Sequence, residues 1–202
     1  LDIPLPKKIF GHPWLLFGTD KMSKSKGNVM YADELAQIFG VDGVRHYVLS
    51  EMPYASDGSI TYESLVGRYN SDLANNLGNL VKRTADMSQK YFGGTVQEPS
   101  EPEELDFELK KAVSDAVDSF CENMDGLHVA DASEAVFSIF RRANKYIDET
   151  TPWLLSKEEG KRGRLGTVLY NLLETIRIGA VLLAPLMPDT SDKILKQLST
   201  EE

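Results

Sequence analysis

Apolar positions recur every three to four residues over most of the chain, and the pattern breaks at glycine, proline and turn residues. From Tyr62 to about Phe92, Leu65, Tyr69, Leu73, Leu77, Leu80 and Met87 form one stripe at helical spacing, closed by Gly93-Gly94. Three further helices are predicted over about Asp106 to Asn123, Ala130 to Glu149 and Lys161 to Leu183. Asp125-Gly126 separates the first two, Thr151-Pro152 breaks the chain after the second, and Pro185 and Pro188 end the third. Ser191 to Leu198 reads as a last short helix. Thr95 to Glu104 holds two prolines and several acids and reads as a solvated connection. Short links between long amphipathic helices predict an antiparallel bundle from residue 62 onward.

The first sixty residues have another rhythm. Residues 3–8 form an extended lead-in, because Pro4 and Pro6 each disfavour helix in the residue before them. Ile9 to Phe17 is apolar and aromatic and reads as strand. Tyr31 to Phe39 reads as a short helix, with Leu35, Ile38 and Phe39 at helical spacing and Gly40 as its stop. Asp42 reads as the N-cap of a second helix carrying Val44, Tyr47, Val48 and Leu49, ended by Met52-Pro53. Ser56 to Ser59 is turn chemistry, and Ser59 to Thr61 reads as a short strand.

At 202 residues and 42% hydrophobic, the chain suffices for one substantial core or two small domains. Apolar runs such as Ala180 to Ala184 are too short for a membrane span. Residues 1–20 lack the apolar region and cleavage site of a signal peptide, and a start at Leu1 suggests a piece of something longer. Cys121 is the only cysteine, which excludes an intrachain disulfide and a cysteine cluster for zinc. It lies in a helical pattern and reads as a small buried hydrophobe in a cytoplasmic protein. The net charge of −9 argues against a general nucleic-acid coat. Charge is uneven: residues 1–30 carry five lysines against two aspartates, residues 101–202 twelve basic against twenty acidic side chains. A nucleic-acid partner is therefore expected at selected patches, with base contacts supplying what bulk charge does not.

Two constellations carry candidate chemistry. Lys21-Met22-Ser23-Lys24-Ser25, followed by Lys26-Gly27-Asn28, comes just after the apolar run Trp14 to Phe17 and the turn residues Gly18, Thr19 and Asp20. It reads as a mobile loop at the edge of an α/β sheet, presenting ammonium and hydroxyl groups to an anion such as phosphate. In the long helix, Asn75, Asn76, Asn79, Lys82 and Arg83 cluster, and Asn79 and Arg83 share a face four residues apart. An amide that donates and accepts beside a donor-only fork can read the Watson–Crick edge of cytosine. Trp153 follows Pro152 at a helix break, where a ring left partly exposed is a stacking platform for an unpaired base. By residue type alone, a solvated helix face and a core tryptophan remain open as well.

The order Lys21 to Asn28 matches the nucleotide-binding signature of class I aminoacyl-tRNA synthetases. From Phe10 to about Leu198 the chain resembles the C-terminal portion of the bacterial methionyl-tRNA synthetase family. The match rests on Gly18 to Asn28, Ser56-Asp57-Gly58, Asn70 to Asn75, Asn79-Leu80 with Arg83, and Ala143 to Asp148 running into Thr151-Pro152-Trp153. The pentapeptide is shared with the isoleucyl, valyl, leucyl and cysteinyl relatives; Asn79 and Arg83 followed by Pro152-Trp153 favour the methionyl family.

The resemblance implies a mainly α fold. Residues 1–30 would end a Rossmann catalytic domain with its lysine loop, 31–61 would form a small α/β stem-contact fold, and 62–202 an antiparallel helical anticodon-binding domain. Within the ATP-binding stretch Lys21, Met22, Ser23, Lys24 and Ser25, Lys24 would stabilise charge as pyrophosphate leaves and Lys21 would position the loop. Asn79 and Arg83 would hydrogen-bond the first anticodon base of CAU, Trp153 would stack on it, and Pro152 would set the angle of the ring. The parent enzyme would take methionine, ATP with magnesium, and initiator and elongator methionine tRNA as partners. The His-Ile-Gly-His-type motif, the methionine pocket and any zinc-bearing insertion would lie outside this chain. His12, His46 and His128 read as surface or core histidines, no metal site is expected, and the isolated chain should be inactive. With its catalytic-domain neighbours missing, the strand from Ile9 is expected to be poorly held. The alternatives are the same portion of another class I synthetase, or a helical protein-binding module suggested by the acidic C-terminal half.

Overall fold

Three apolar residues, Leu15–Phe17, form strand β1. The tight turn at Gly18 (φ 60°) returns the chain into the two-residue strand β2, Asp20–Lys21, antiparallel to β1. On its other side β1 pairs in parallel with β3, Gly58–Ile60, giving the order β2-β1-β3. The computed structural model describes residues 4–51 and 56–198. The strand expected from Ile9 is thus confined to its last three residues, because β3 offers only three partners. Against expectation, β1 has a neighbour on each side within this chain.

Helix α1, Ala32–Glu51, joins the two helices expected on either side of Gly40, which bends it with φ 74° and ψ 158°. Its end at Glu51 adjoins Met52-Pro53, which lie outside the described residues. Leu35 and Tyr47 of α1 pack with Ile60 and Leu65 in a small core of their own. The expected helix from Tyr62 to Phe92 is continuous but changes winding: α2 (Tyr62–Arg68), a π-helical segment (Tyr69–Gly78) and α3 (Asn79–Phe92). Thr61 caps α2 through its side chain, and Gly93 closes α3 in the left-handed region. The widened winding brings the Leu73 carbonyl oxygen to 2.9 Å from where a Cβ on Gly78 would sit, so a side chain there collides with backbone.

The bundle is completed by α4 (Glu104–Asp125), α5 (Val129–Thr150), α6 (Pro152–Leu155), α7 (Arg162–Leu183) and α8 (Pro188–Gln197). Pro188 opens α8 rather than ending α7, as suits a residue whose missing N–H costs nothing in a first turn. Helix α5 is central: Phe137, Phe140, Ala143, Tyr146 and Ile147 are all buried in the main core. Helix α7 is long and apolar enough to cross a membrane, but 61% of its apolar window is buried inside the fold, as expected of a core helix. Cys121 is exposed, contrary to expectation. Leu109, Val113, Ala116 and Phe120 take the inward face of α4, and Cys121 lies one step round the helix from Phe120.

Buried polar pairs lock the elements. Arg164, 2% exposed, donates from both Nη atoms to the carboxylate of fully buried Asp106, at 2.6 and 3.0 Å. Tyr146 also donates to Asp106, and Glu103 lies 3.2 Å from Arg164 Nε. Burial pushes the Asp106 carboxyl up, but the bonds from Arg164 and Tyr146 outweigh it and hold the group below its ordinary value. The connection from Thr95 to Glu103 is not merely solvated. The backbone N–H groups of Ser100 and Glu101 donate to Thr167 Oγ1, at 3.0 and 3.2 Å, binding it to α7.

Candidate functional site

The lysine loop begins at the end of β2. Its single 3₁₀ turn, Lys24–Lys26, is closed by Gly27 in the left-handed region (φ 68°). Asn28 holds the loop from within: its Oδ1 accepts from Ser23 N–H (2.8 Å) and its Nδ2 approaches the Lys21 carbonyl (3.4 Å). Met22 packs against the small core, so one side chain of the pentapeptide anchors it while Lys24, Ser25 and Lys26 face solvent. Ser23 Oγ and Ser25 Oγ lie 2.8 Å apart. Lys21 is drawn aside, its Nζ 4.2 Å from the centre of the Trp14 ring. Among the described residues neither Lys24 nor Lys26 forms an ion pair, which leaves both ammonium groups presented to an incoming anion. The loop is therefore built by local hydrogen bonds and one partly buried methionine. The anchoring parts played by Trp14 and Asn28 were not read from the sequence; the Asn28 signal was its place within the motif.

Helix α1 fixes this unit to the bundle. The Thr190 N–H in the first turn of α8 donates to Asp42 Oδ2 (2.6 Å). Asp42 thus serves the start of a helix 148 residues away rather than the one it was expected to cap. Arg45 donates to the Leu186 and Pro185 carbonyls, both at 2.9 Å, beyond the end of α7. His46 Nε2 lies 3.0 Å from Asp72 Oδ2, and its ring lies 4.3 Å from that of Phe137. His46 is therefore a buried structural histidine, and His12 and His128 are exposed.

Within the second constellation, the structure separates Asn76 from Asn79 and Arg83. Asn144 of α5 donates to the Asn76 backbone carbonyl (3.1 Å) and to its Oδ1 (2.9 Å), tying the π-helical segment to α5. Asn79 is exposed at the first turn of α3. Arg83, one turn on, is partly exposed, with its side chain at 34%, and its Nη2 lies 3.4 Å from Asp148 Oδ1. Asp148 is in the last turn of α5. Thr151 then ends that helix in the left-handed region (φ 42°), and α6 begins at buried Pro152. Trp153 follows, 39% exposed. The Arg83–Asp148 pair thus ties α3 to the end of α5, five residues before Trp153. Asp148 lies in a segment singled out in the sequence, but its link to Arg83 required the packing of α3 on α5.

A lysine–serine loop on a small mixed sheet, wedded through one bent helix to an antiparallel helical bundle, is the arrangement of a class I tRNA synthetase where its catalytic and anticodon-binding parts meet. Residues 1–85 match the family described as tRNA synthetases class I (M), and residues 96–202 match the anticodon binding domain of methionyl tRNA ligase. The chain belongs to this methionyl-tRNA ligase family. It is 49% identical over 202 residues to a methionine–tRNA ligase of Caldanaerobacter subterraneus subsp. tengcongensis and 50% identical over 201 residues to one of Clostridium acetobutylicum. All of this chain is covered in each case, against 32% and 31% of those relatives, so it spans about a third of their length. Mycobacterium tuberculosis methionyl-tRNA synthetase, solved in complex with methionyl-adenylate, superposes with a TM-score of 0.91 at 39% identity, over 96% of this chain and 38% of that one.

Proposed function

We propose that this chain is the portion of a methionine–tRNA ligase that closes the ATP site with its lysine loop and reads the anticodon with its helical bundle. The complete enzyme would join methionine to initiator and elongator methionine tRNA at the expense of ATP, in the cytoplasm. The division proposed is 1–30 for the catalytic end, 31–61 for the stem-contact fold and 62–202 for the anticodon-binding bundle.

At the loop, Lys24 would meet the ATP phosphates and stabilise negative charge as pyrophosphate leaves, with Lys21 positioning the loop. Met22 supplies a partly buried anchor, and Ser23 and Ser25 supply hydroxyls beside the ammonium groups. The donors here are ammonium and hydroxyl groups, a set that suits phosphate oxygens; magnesium would be held by the phosphates themselves. At the bundle, Asn79 and Arg83 would hydrogen-bond the cytosine that opens CAU, and Trp153, angled by Pro152, would stack on it.

The observation that carries this reading is the partly exposed Arg83 fork paired with Asp148 in the last turn of α5, five residues before the exposed Trp153. The test is a titration with a CAU anticodon stem-loop, followed by tryptophan fluorescence, beside the same RNA with its first C replaced. Strong preference for the C-bearing loop is expected. Equal weak binding that vanishes with salt would reduce the contact to phosphates alone and overturn the base-reading role.

A further inference from the structure

Helices α4 and α7 enclose a cleft of about 340 Å³ that the lysine loop and the base-reading residues do not use. Leu109, Val113 and Val117 line it from α4, and Asn171, Thr175 and Ile178 from α7. Small-molecule sites are typically of this kind: about 300–1,000 Å³, mostly apolar, with a few fixed polar groups.

The polar group here is Asn171, which is 3% exposed. Its Nδ2 donates to Tyr146 Oη at 3.3 Å. The Tyr146 proton is already given to Asp106, so the phenol can only accept from Asn171, and this fixes which way the amide faces. Asn171 Oδ1 is therefore turned away from Tyr146, and among the described residues it has no hydrogen-bond partner. Thr175 cannot serve it, since its hydroxyl donates to the Asn171 backbone carbonyl at 2.7 Å. A buried amide oxygen left without a donor is a costly feature that a bound donor relieves. The charges at the rim are already answered: Glu174 is bound by Arg177 at 2.6 and 2.8 Å, and Lys110 lies over the Phe107 ring.

We propose that the α4–α7 cleft binds a small, neutral, mostly apolar molecule with one N–H or O–H donor, of the indole or phenol class, whose donor meets Asn171 Oδ1. The apolar walls take the ring, and the orphaned amide oxygen accepts the hydrogen bond.

The test uses indole and 1-methylindole, which differ by that donor, titrated into the isotopically labelled chain and followed by amide resonances of residues 109–117 and 171–178. Saturable binding is expected, with indole roughly five-fold tighter than 1-methylindole, the worth of about one ordinary hydrogen bond. Val117→Phe and Ile178→Phe, each at a half-buried position, fill the cleft and should abolish binding; thermal melts identify the variant that keeps its fold. The proposal is overturned by the absence of saturable binding, by equal affinities for the two probes, or by binding that persists in a folded, filled variant.

Discussion

Arg83 Nη2 stands 3.4 Å from Asp148 Oδ1 and thereby joins α3 to the last turn of α5. Both side chains are open to solvent, 34% for Arg83 and 69% for Asp148. Exposed pairs of this kind contribute about 0–1 kcal/mol to stability. Arg83→Ala should therefore leave the denaturant midpoint nearly unchanged. Its effect should fall on the CAU stem-loop, with about 1–3 kcal/mol of binding lost and discrimination at the first base relaxed. A variant that binds C-bearing and substituted loops as the unaltered protein does would remove Arg83 from base reading.

Trp153 is 39% exposed at the start of α6, so its removal leaves a smaller void than loss of a core ring. Trp153→Ala should cost about 1–3 kcal/mol of anticodon affinity if the indole stacks on a base. Its stability loss should stay below the roughly 3–5 kcal/mol of a buried aromatic truncation. Denaturant midpoints measured beside RNA affinity separate the two effects; loss of stability with RNA affinity retained would make Trp153 a packing residue.

Lys24 faces solvent in the 3₁₀ turn of the loop and has no ion-pair partner among the described residues. In the full-length ligase, Lys24→Ala should slow adenylate formation by about 10²–10³-fold, as for loss of one preorganised charge donor. Thermal stability should not move, because no packing is lost. Single-turnover pyrophosphate release measures the step directly, and an unchanged rate would exclude Lys24 from it.

Asp106 and Arg164 are paired in the interior, so removing one charge strands the other. Asp106→Asn should cost about 3–5 kcal/mol, read as a fall in the urea midpoint. The carboxyl is held below its ordinary value of 3.8 in the folded chain. Its stabilisation is thus fully present above that value and is lost as pH falls through the depressed folded one. Acid titration of stability in Asp106→Asn should accordingly lack the part of the decline below pH 3.8 that this carboxylate supplies to the unaltered chain.

Gly179 lets α7 approach the Phe140 ring of α5 so closely that a Cβ at this position would overlap the ring edge. Gly179→Ala should destabilise the bundle by about 1–3 kcal/mol, the usual cost of overpacking. Phe140→Leu in the same chain should recover part of that loss. A double-mutant cycle showing strict additivity would mean that the two residues do not compete for space.

The long helices between Tyr62 and Leu183 were legible because helical periodicity is a local rule: a stripe at three and four residues states which face turns inward before any partner is known. The lysine loop was legible as a run of residue types, and the class of protein followed from that run. Where local rules gave the wrong answer, a distant residue had intervened. Asp42 has the residue type of an N-cap, yet the packing of α1 on α8 gives its carboxylate to Thr190. Asn76 and Asn79 look alike in sequence, but the π-helical winding and α5 engage Asn76 through Asn144 and leave Asn79 exposed. Periodicity placed Cys121 on a helix, but only the neighbours of α4 decided that Phe120 would turn inward and Cys121 outward. The sequence by itself thus determined where the helices lie and what chemistry the loop can offer. Tertiary structure alone decided which polar groups are spent in holding the fold and which remain free, because a hydrogen bond across 68 or 148 residues depends on where whole helices pack.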